Sequence, residues 1–260
     1  MKDVIINSGL FLPREMKEEF AKYLLDRTKW YNIIGKGKLY YSGIGTYHHL
    51  HKFEEHLNEG NISEAYKSAE EAFKWYDGIL RGVPVSELEA FSREYAQDFK
   101  KEAKEVLKEI KAQGHDVHIV SAGIKEIIEI VLEEKGIISK DRPGENLIKS
   151  ITSNYLDVDD GIIQGLIKEV DTPDRKIEAF EKTHSKIKVG SDVIAAGYGD
   201  WDVGIVNEAY RIVLIITAEH IPSEAVKKVY VKRSQDDPKS VKEIINLNEL
   251  PKALEMLENR

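Results

Sequence analysis

The chain has no cysteine among its 260 residues. Disulfides, thiolate metal sites and a cysteine nucleophile are therefore excluded. It is also short of positive charge: 38 Lys and Arg stand against 46 Asp and Glu, a formal net charge of -8. Proteins that bind nucleic acid by neutralising phosphates need the opposite balance, so nucleic acid is not an expected partner. A local basic loop can still hold one anionic metabolite. Long apolar runs are missing too. The longest, Ile212 to Ala218, has the length of one strand and cannot span a bilayer. The start, Met-Lys-Asp-Val-Ile-Ile-Asn-Ser-Gly, carries too short an apolar run for a signal peptide. No membrane partner is expected, and a cytoplasmic address follows. What the chain does have is 42% hydrophobic and 32% charged residues, a mix that folds rather than staying disordered. Its length suits one large domain or a core with an insert.

Val4 to Ile6 is a short apolar run ending in Asn7-Ser8-Gly9, which reads as a buried strand entering a turn. From about Arg14 to Phe99 the pattern is helical, with Glu18-Glu19-Phe20, Tyr23-Leu24-Leu25 and Trp30-Tyr31 at near-helical spacing. Asn61 and Ser86 stand where helix caps are expected. Lys36 to Tyr47, broken by Gly37, Gly43 and Gly45, reads as a loop. Beyond it come helices over Lys101 to Lys111, Lys125 to Lys135 and Pro173 to Thr183, the first two stopped by Gly114 and Gly136. Strands are expected at Val117 to Val120, Val193 to Ala196 and Ile212 to Ile216, with Val229 to Val231 as a further one. Ser121-Ala122-Gly123 is the turn after the first of these. Tyr155 to Ile167 alternates around Asp159-Asp160-Gly161, a hairpin signal. The tail from Lys239 closes with one or two helices. Strands alternating with helices predict a parallel sheet covered on both faces, with ligands at the strands' C-terminal ends. Asn7, Ser121 and the Gly197 to Asp202 turn should converge there.

Residues 194 to 202, Ile-Ala-Ala-Gly-Tyr-Gly-Asp-Trp-Asp, run from an apolar strand into a glycine-rich acidic turn. This resembles the fourth motif of the haloacid-dehalogenase-like (HAD) superfamily, an apolar strand followed by Gly-Asp-Gly-x-Asn-Asp. Gly197, Gly199 and Asp202 match, and Tyr198 stands where the first Asp belongs. Val117 to Gly123 looks like the second motif, an apolar strand ending in Ser or Thr. Arg175-Lys176-Ile177-Glu178-Ala179 looks like the third. Residues 80-95 resemble the end of the helical cap in the phosphoserine-phosphatase-like branch, and the hairpin after Asn154 is similar to the one that precedes its third motif. The resemblance covers nearly the whole chain. It implies an α/β fold: a three-layer Rossmann-like core with a parallel sheet from residues 1-13 and 100-260, and an inserted helical cap from 14-99. It also implies that Ser121, with Ala122 and Gly123, binds a phosphoryl oxygen, that Lys176 neutralises the phosphate, and that Asp202 holds Mg2+; Asp200 departs from the pattern and is a candidate to take over a second metal contact. A small phosphorylated metabolite is the implied partner.

The first motif departs from the family pattern. Asp-x-Asp-Gly-Thr, with the nucleophile first and the acid/base second, belongs at the end of the first strand. This chain has Ile5-Ile6-Asn7-Ser8-Gly9-Leu10. In one register Asn7 replaces the nucleophile; in another Ile5 does, and Asn7 replaces the acid/base. Neither supplies a carboxylate, and Asp3 precedes the strand and points away from attack. An aspartyl phosphatase splits phosphoester cleavage into two displacements through a carboxylate. An amide is a far poorer nucleophile and brings no charge to Mg2+, which prefers carboxylate oxygens. Two functions stay open. One is a phosphatase-like hydrolase acting on a small phosphomonoester with Mg2+, with Asn7, Ser121 and Lys176 at its centre and water attack aided by Asp200 or Asp202. The other is a non-catalytic pseudo-phosphatase that binds a phosphorylated metabolite or a protein partner, using Ser121, Lys176 and backbone N–H groups without a metal.

Other features read more plainly. Asp157-Val158-Asp159-Asp160-Gly161 imitates the missing motif but sits in the hairpin. His48, His49, His51 and His56 form a solvated or cap-interface cluster, or place one imidazole at the pocket mouth; no metalloprotease spacing occurs. Lys36 and Lys38 read as solvated, and Trp30, Trp75 and the tyrosines of 23-76 as cap core.

Overall fold

The computed structural model describes residues 2-12, 15-27, 33-218 and 220-258, with backbone only at 33-36. In chain order the elements are β1 (Asp3–Ile6), α1 (Met16–Arg27), α2 (Ile33–Glu59), α3 (Ile62–Leu80), α4 (Val85–Tyr95) and α5 (Ala103–Ala112). Then follow β2 (Asp116–Ile124), α6 (Lys125–Glu134), β3 (Ser150–Asp159), β4 (Ile162–Ile167), α7 (Pro173–Thr183) and the short α8 (Val189–Asp192). The chain continues through β5 (Val193–Gly197), α9 (Val203–Glu208), β6 (Arg211–Ile215), α10 (Glu224–Asp236), β7 (Val241–Ile244) and α11 (Leu250–Glu258).

The seven strands form one sheet in the order β4-β3-β2-β1-β5-β6-β7. Every pairing is parallel except β3 with β4. Side chains of β1 alternate between the faces. Val4 and Ile6 enter a core shared with α1, α3 to α6 and α11, whereas Ile5 enters one shared with α7, α9 and α10. Helices therefore cover both faces, and β1 lies at the centre with its next strands on opposite sides. That arrangement is a topological switch point, and the crevice opens beyond the C-terminal ends of β1, β2 and β5. Ile6 pairs with Ile119 and with Ala196, so the residues after it, Asn7 onward, emerge beside Ser121 and the Gly197 to Asp202 turn.

Several local readings need correction. Lys36 to Tyr47 is not a loop but part of α2. Its glycines serve helix packing: a β-carbon added to Gly45 would stand 2.3 Å from the Trp75 ring on α3, so glycine permits that close approach. Val229 to Val231 is not a strand but lies in α10, which Ser223 caps by accepting from the Val226 N–H at 3.3 Å. Ser86 sits inside α4 behind an N-cap at Pro84, and the Asn61 side chain makes no capping bond. The tail adds the strand β7 before its helix. Val241-Lys-Glu-Ile buries only its two ends at the sheet edge, so it lacks a strong apolar signal. Ser121 to Gly123 remains in β2, whose pairing with β3 shifts register between Ser121 and Ile124. Asp3 opens β1 rather than preceding it.

Among the cap aromatics, Tyr76 is buried, but Tyr40, Tyr41 and Tyr47 are exposed on α2. Trp30 and the Lys36 side chain lie outside the described residues. Lys38 is exposed on α2, its ammonium donating to the Arg81 carbonyl at 3.3 Å. The Asp160-Gly161 pair turns the β3–β4 hairpin with φ of 45° and 73°, as expected for that dipeptide.

Candidate functional site

Asn7 follows β1 in extended conformation and caps a short helical turn, Ser8–Leu10. Its side-chain oxygen accepts from the Gly9 N–H at 3.3 Å and from the Ser121 hydroxyl at 3.3 Å. Its amide nitrogen donates to Asp202 Oδ1 at 3.0 Å. The Ser8 and Ser121 hydroxyls lie 2.8 Å apart, and the Gly123 N–H donates to Ser121 Oγ at 3.1 Å. The first and second motifs are thus tied together at the crevice floor. With Ala122, Tyr95, Glu15, Lys17 and Trp201 the residues of these two motifs line a cavity of about 30 Å³ that opens to solvent.

Lys176 arrives from α7. Thr172 caps this helix, accepting from the Arg175 N–H at 3.4 Å, and Pro173 occupies the first turn, where a missing N–H costs nothing. One turn in, Lys176 is buried and donates to Asp202 Oδ1 at 2.7 Å. Asp202 Oδ2 accepts from the Tyr198 and Gly199 N–H groups, each at 3.1 Å. Burial alone would raise the Asp202 carboxyl, but the Lys176 ammonium and these backbone donors hold it below the usual carboxylate range. The carboxylate has about four acceptor positions, and Lys176, Asn7, Tyr198 and Gly199 fill them.

Asp200 is placed differently. It lines a neighbouring cavity of about 270 Å³ with Glu54, His51, Tyr47 and Ser223, not the cavity that holds Ser121. Burial and, to a smaller extent, the Asp202 charge push its carboxyl up, against a hydrogen bond from Ser223. One of its oxygens is buried with no hydrogen-bond partner. Trp201 separates the two acids and anchors the turn against α2 and α3, its ring 4.8 Å from Phe53 and 5.7 Å from Phe73. Tyr198 is mostly buried, and burial with the Asp202 charge raises its phenol, so the proton stays on. Its ring meets His220 edge-on at 4.4 Å, and His220 Nε2 lies 3.0 Å from the Gly9 carbonyl.

Asn7, Ser121, Ala122, Gly123, Lys176 and Asp202 therefore converge; Asp200 does not join them. A divalent ion fits this donor set poorly. Asp202 is saturated, the Asn7 oxygen is engaged twice, and the carboxylate expected at Tyr198 is a protonated phenol. No group of three or more His, Cys, Asp or Glu among the described residues is arranged to hold a metal. Among the histidines of α2, His51 reaches the Asp200 cavity, while His48 is exposed. Lys17, which sequence patterning does not single out, lines both cavities. Nothing in Met16-Lys17-Glu18-Glu19 separates it from a surface lysine at a helix start.

Comparisons agree with this architecture. Residues 37–197 match the family model described as haloacid dehalogenase-like hydrolase. That range ends at Gly197, before Asp200 and Asp202, and begins after Asn7. A phosphoserine phosphatase of Streptococcus thermophilus (strain ATCC BAA-250 / LMG 18311) is 30% identical over 134 residues, which is 50% of this chain and 55% of that protein. The match thus spans about half the length of that curated relative. Two solved structures share the fold across most of both chains. A substrate-bound phosphoserine phosphatase complex superposes with TM-score 0.53 and 19% identity over 88% of this chain and 90% of its own. A phosphoserine phosphohydrolase-like protein from Francisella tularensis subsp. tularensis SCHU S4 does so with TM-score 0.55 and 20% identity over 88% and 93%.

Proposed function

The chain belongs to the haloacid dehalogenase-like hydrolase family, in its phosphoserine-phosphatase-like branch, and from that premise we propose that it binds a small phosphomonoester without passing through an aspartyl-phosphate. The observation that carries this is the Asn7 side chain. Its oxygen faces Ser121 and its nitrogen faces Asp202, which supports the register in which Asn7 stands in for the attacking carboxylate. Ser121 and Ser8 offer hydroxyls to the phosphoryl oxygens, and the neutral Lys176–Asp202 pair holds Asn7 in place beneath them. Helices α1 to α4, within residues 14-99, act as the cap and cover the ligand. Phosphoserine, the compound named for the relatives, is the first candidate.

A second reading has one observation in its favour. The raised Asp200 carboxyl with its unpartnered oxygen is a candidate base for direct attack by water, and Lys17 and Trp201 connect its cavity to the cradle. The two readings part in one experiment. A phosphomonoester panel is assayed for hydrolysis with Mg2+, with Mn2+ and with chelator, and for ligand-induced thermal shift, in the wild type and in Ser121→Ala. Thermal shifts reduced in Ser121→Ala, with no phosphate release above that variant, are expected. Metal-dependent turnover lost in Ser121→Ala would establish a working phosphatase and remove the binding-only reading.

A further inference from the structure

Lys17 is a cation at this crevice that forms no ion pair among the described residues, although Glu15 lines the same cavity. It lies in the first turn of α1 and is only 9% exposed. Its ammonium sits 4.6 Å from the Phe73 ring centroid and 4.9 Å from that of Trp201. Among the described residues it makes no hydrogen bond and no ion pair. Burial pushes the ammonium below its ordinary range; Glu15, which lines the same cavity, and Glu18 act the other way without forming an ion pair, and the nearby Lys176 charge adds to the lowering. A buried charge is normally paired, and two aromatic faces compensate only part of the lost hydration. An anion arriving in the cavity would give this ammonium the ion pair it lacks.

The cavity it lines is the one lined by Asn7, Ser8, Ser121 and Gly123. Lys176 cannot answer for a dianion in that cavity, because its charge is matched by Asp202 at 2.7 Å. Of the nearby acids, Asp202 is saturated and Asp200 faces the other cavity, which leaves Glu15 as the single carboxylate lining this one among the described residues, too few for a divalent ion. We infer that Lys17 supplies the positive charge to a bound phosphoryl group in place of a divalent ion, so that the site takes a phosphate dianion without metal. The inference rests on reading the Ser8–Ser121 cradle as a phosphate site. The ammonium joins the Ser8 and Ser121 hydroxyls as a third donor, approaching from the cap side. Because α1 carries Lys17, ligand capture also ties this helix to the sheet. Lys17 is a binding residue here and takes no proton in any reaction.

The test uses the full chain and inorganic phosphate as the probe. Binding is measured by calorimetry in EDTA and in excess Mg2+, for the wild type, Lys17→Gln and Lys17→Arg, with melting curves as a folding control. The expected result is wild-type affinity that is the same with and without metal. Lys17→Gln should weaken it by about tenfold or more, the scale of one charge-assisted hydrogen bond, and Lys17→Arg should retain most of it. Amine labelling of the wild type, read by mass spectrometry, should show Lys17 protected by phosphate, which keeps the test alive if Lys17→Gln does not fold. Wild-type binding with Lys17→Gln unchanged, or with no protection of Lys17, overturns the role of Lys17 and leaves the cradle standing. Binding that appears only with Mg2+ overturns the metal-free site. No phosphate binding in either condition overturns both this inference and the reading on which it rests.

Discussion

The hydroxyl of Tyr198 fills the space into which a side chain at Gly9 would grow: a β-carbon added to Gly9 would stand 2.7 Å from that oxygen. In the register that sets Asn7 at the first Asp of the Asp-x-Asp pattern, Gly9 stands at the second Asp. In that register the Tyr198 phenol occupies the volume that an acid at Gly9 would need, so the two departures from the family pattern are spatially compatible.

That fit can be measured. Gly9→Ala should lower stability by about 1–3 kcal/mol, the usual cost of forcing an extra methyl into a packed site. In a Tyr198→Phe background the nearest ring carbon is 3.9 Å from the new methyl, an ordinary contact, so most of that cost should vanish. Urea denaturation of the four proteins gives the interaction energy directly. An equal cost in both backgrounds would show that the two positions are not coupled.

Restoring one acid should not restore a phosphatase. In Asn7→Asp the new carboxylate cannot donate to Asp202, 3.0 Å away, and faces it with like charge, while Gly9 still offers no acid/base. Phosphoserine hydrolysis with Mg2+ is expected to stay at background, and stability should fall by about 1–3 kcal/mol for the lost donor. Metal-dependent phosphate release by Asn7→Asp alone would refute the argument.

The elements that place the crevice were legible because each carried a strong local pattern. β5 and the Val4–Ile6 part of β1 are unbroken apolar runs, α7 has its Thr-Pro start, and the hairpin has Asp-Gly. The convergence of Asn7, Ser121 and Asp202 followed from strand order alone. What failed were features decided by partners distant in sequence. Gly45 looks like a loop glycine until Trp75 is packed on it, and Asp200 looks adjacent to Asp202's partners until the fold sets it in a separate cavity with Glu54 and His51. Lys17 gives no signal because its burial is decided by Phe73 and Trp201, both far along the chain.

The Lys176–Asp202 pair should behave as a buried unit. Lys176→Met leaves Asp202 charged, buried and short of its strongest partner, which typically costs about 3–5 kcal/mol. Asp202 is held below its unfolded value near 3.8, so its contribution is present above that pH and is lost as the pH falls through the folded value. Acid titrations of stability should thus show a steeper loss below about pH 4 in the wild type than in Asp202→Asn. Parallel curves would mean that the pair contributes nothing to acid sensitivity.

A second pH effect should arise at the opposite end of the strands. His118 on β2 is buried, with Nε2 2.9 Å from Asp3 Oδ1 and Nδ1 2.7 Å from Ser150 Oγ. His184 and Phe180 of the α7 region pack edge-on against it, and Lys149 lies nearby. Burial pushes its imidazole below the ordinary 6.5; Asp3 acts the other way, and His184 and Lys149 add to the lowering. Between the folded and unfolded values the unfolded chain binds a proton that the folded chain refuses. The stability from His118 is therefore complete above pH 6.5 and declines as the pH drops toward the folded value. Melting curves at stepped pH from neutral to mildly acidic should show a wild-type decline that is shallower in His118→Asn. If the variant declines as steeply, the burial of His118 is balanced by Asp3, and the acid sensitivity in that window comes from elsewhere.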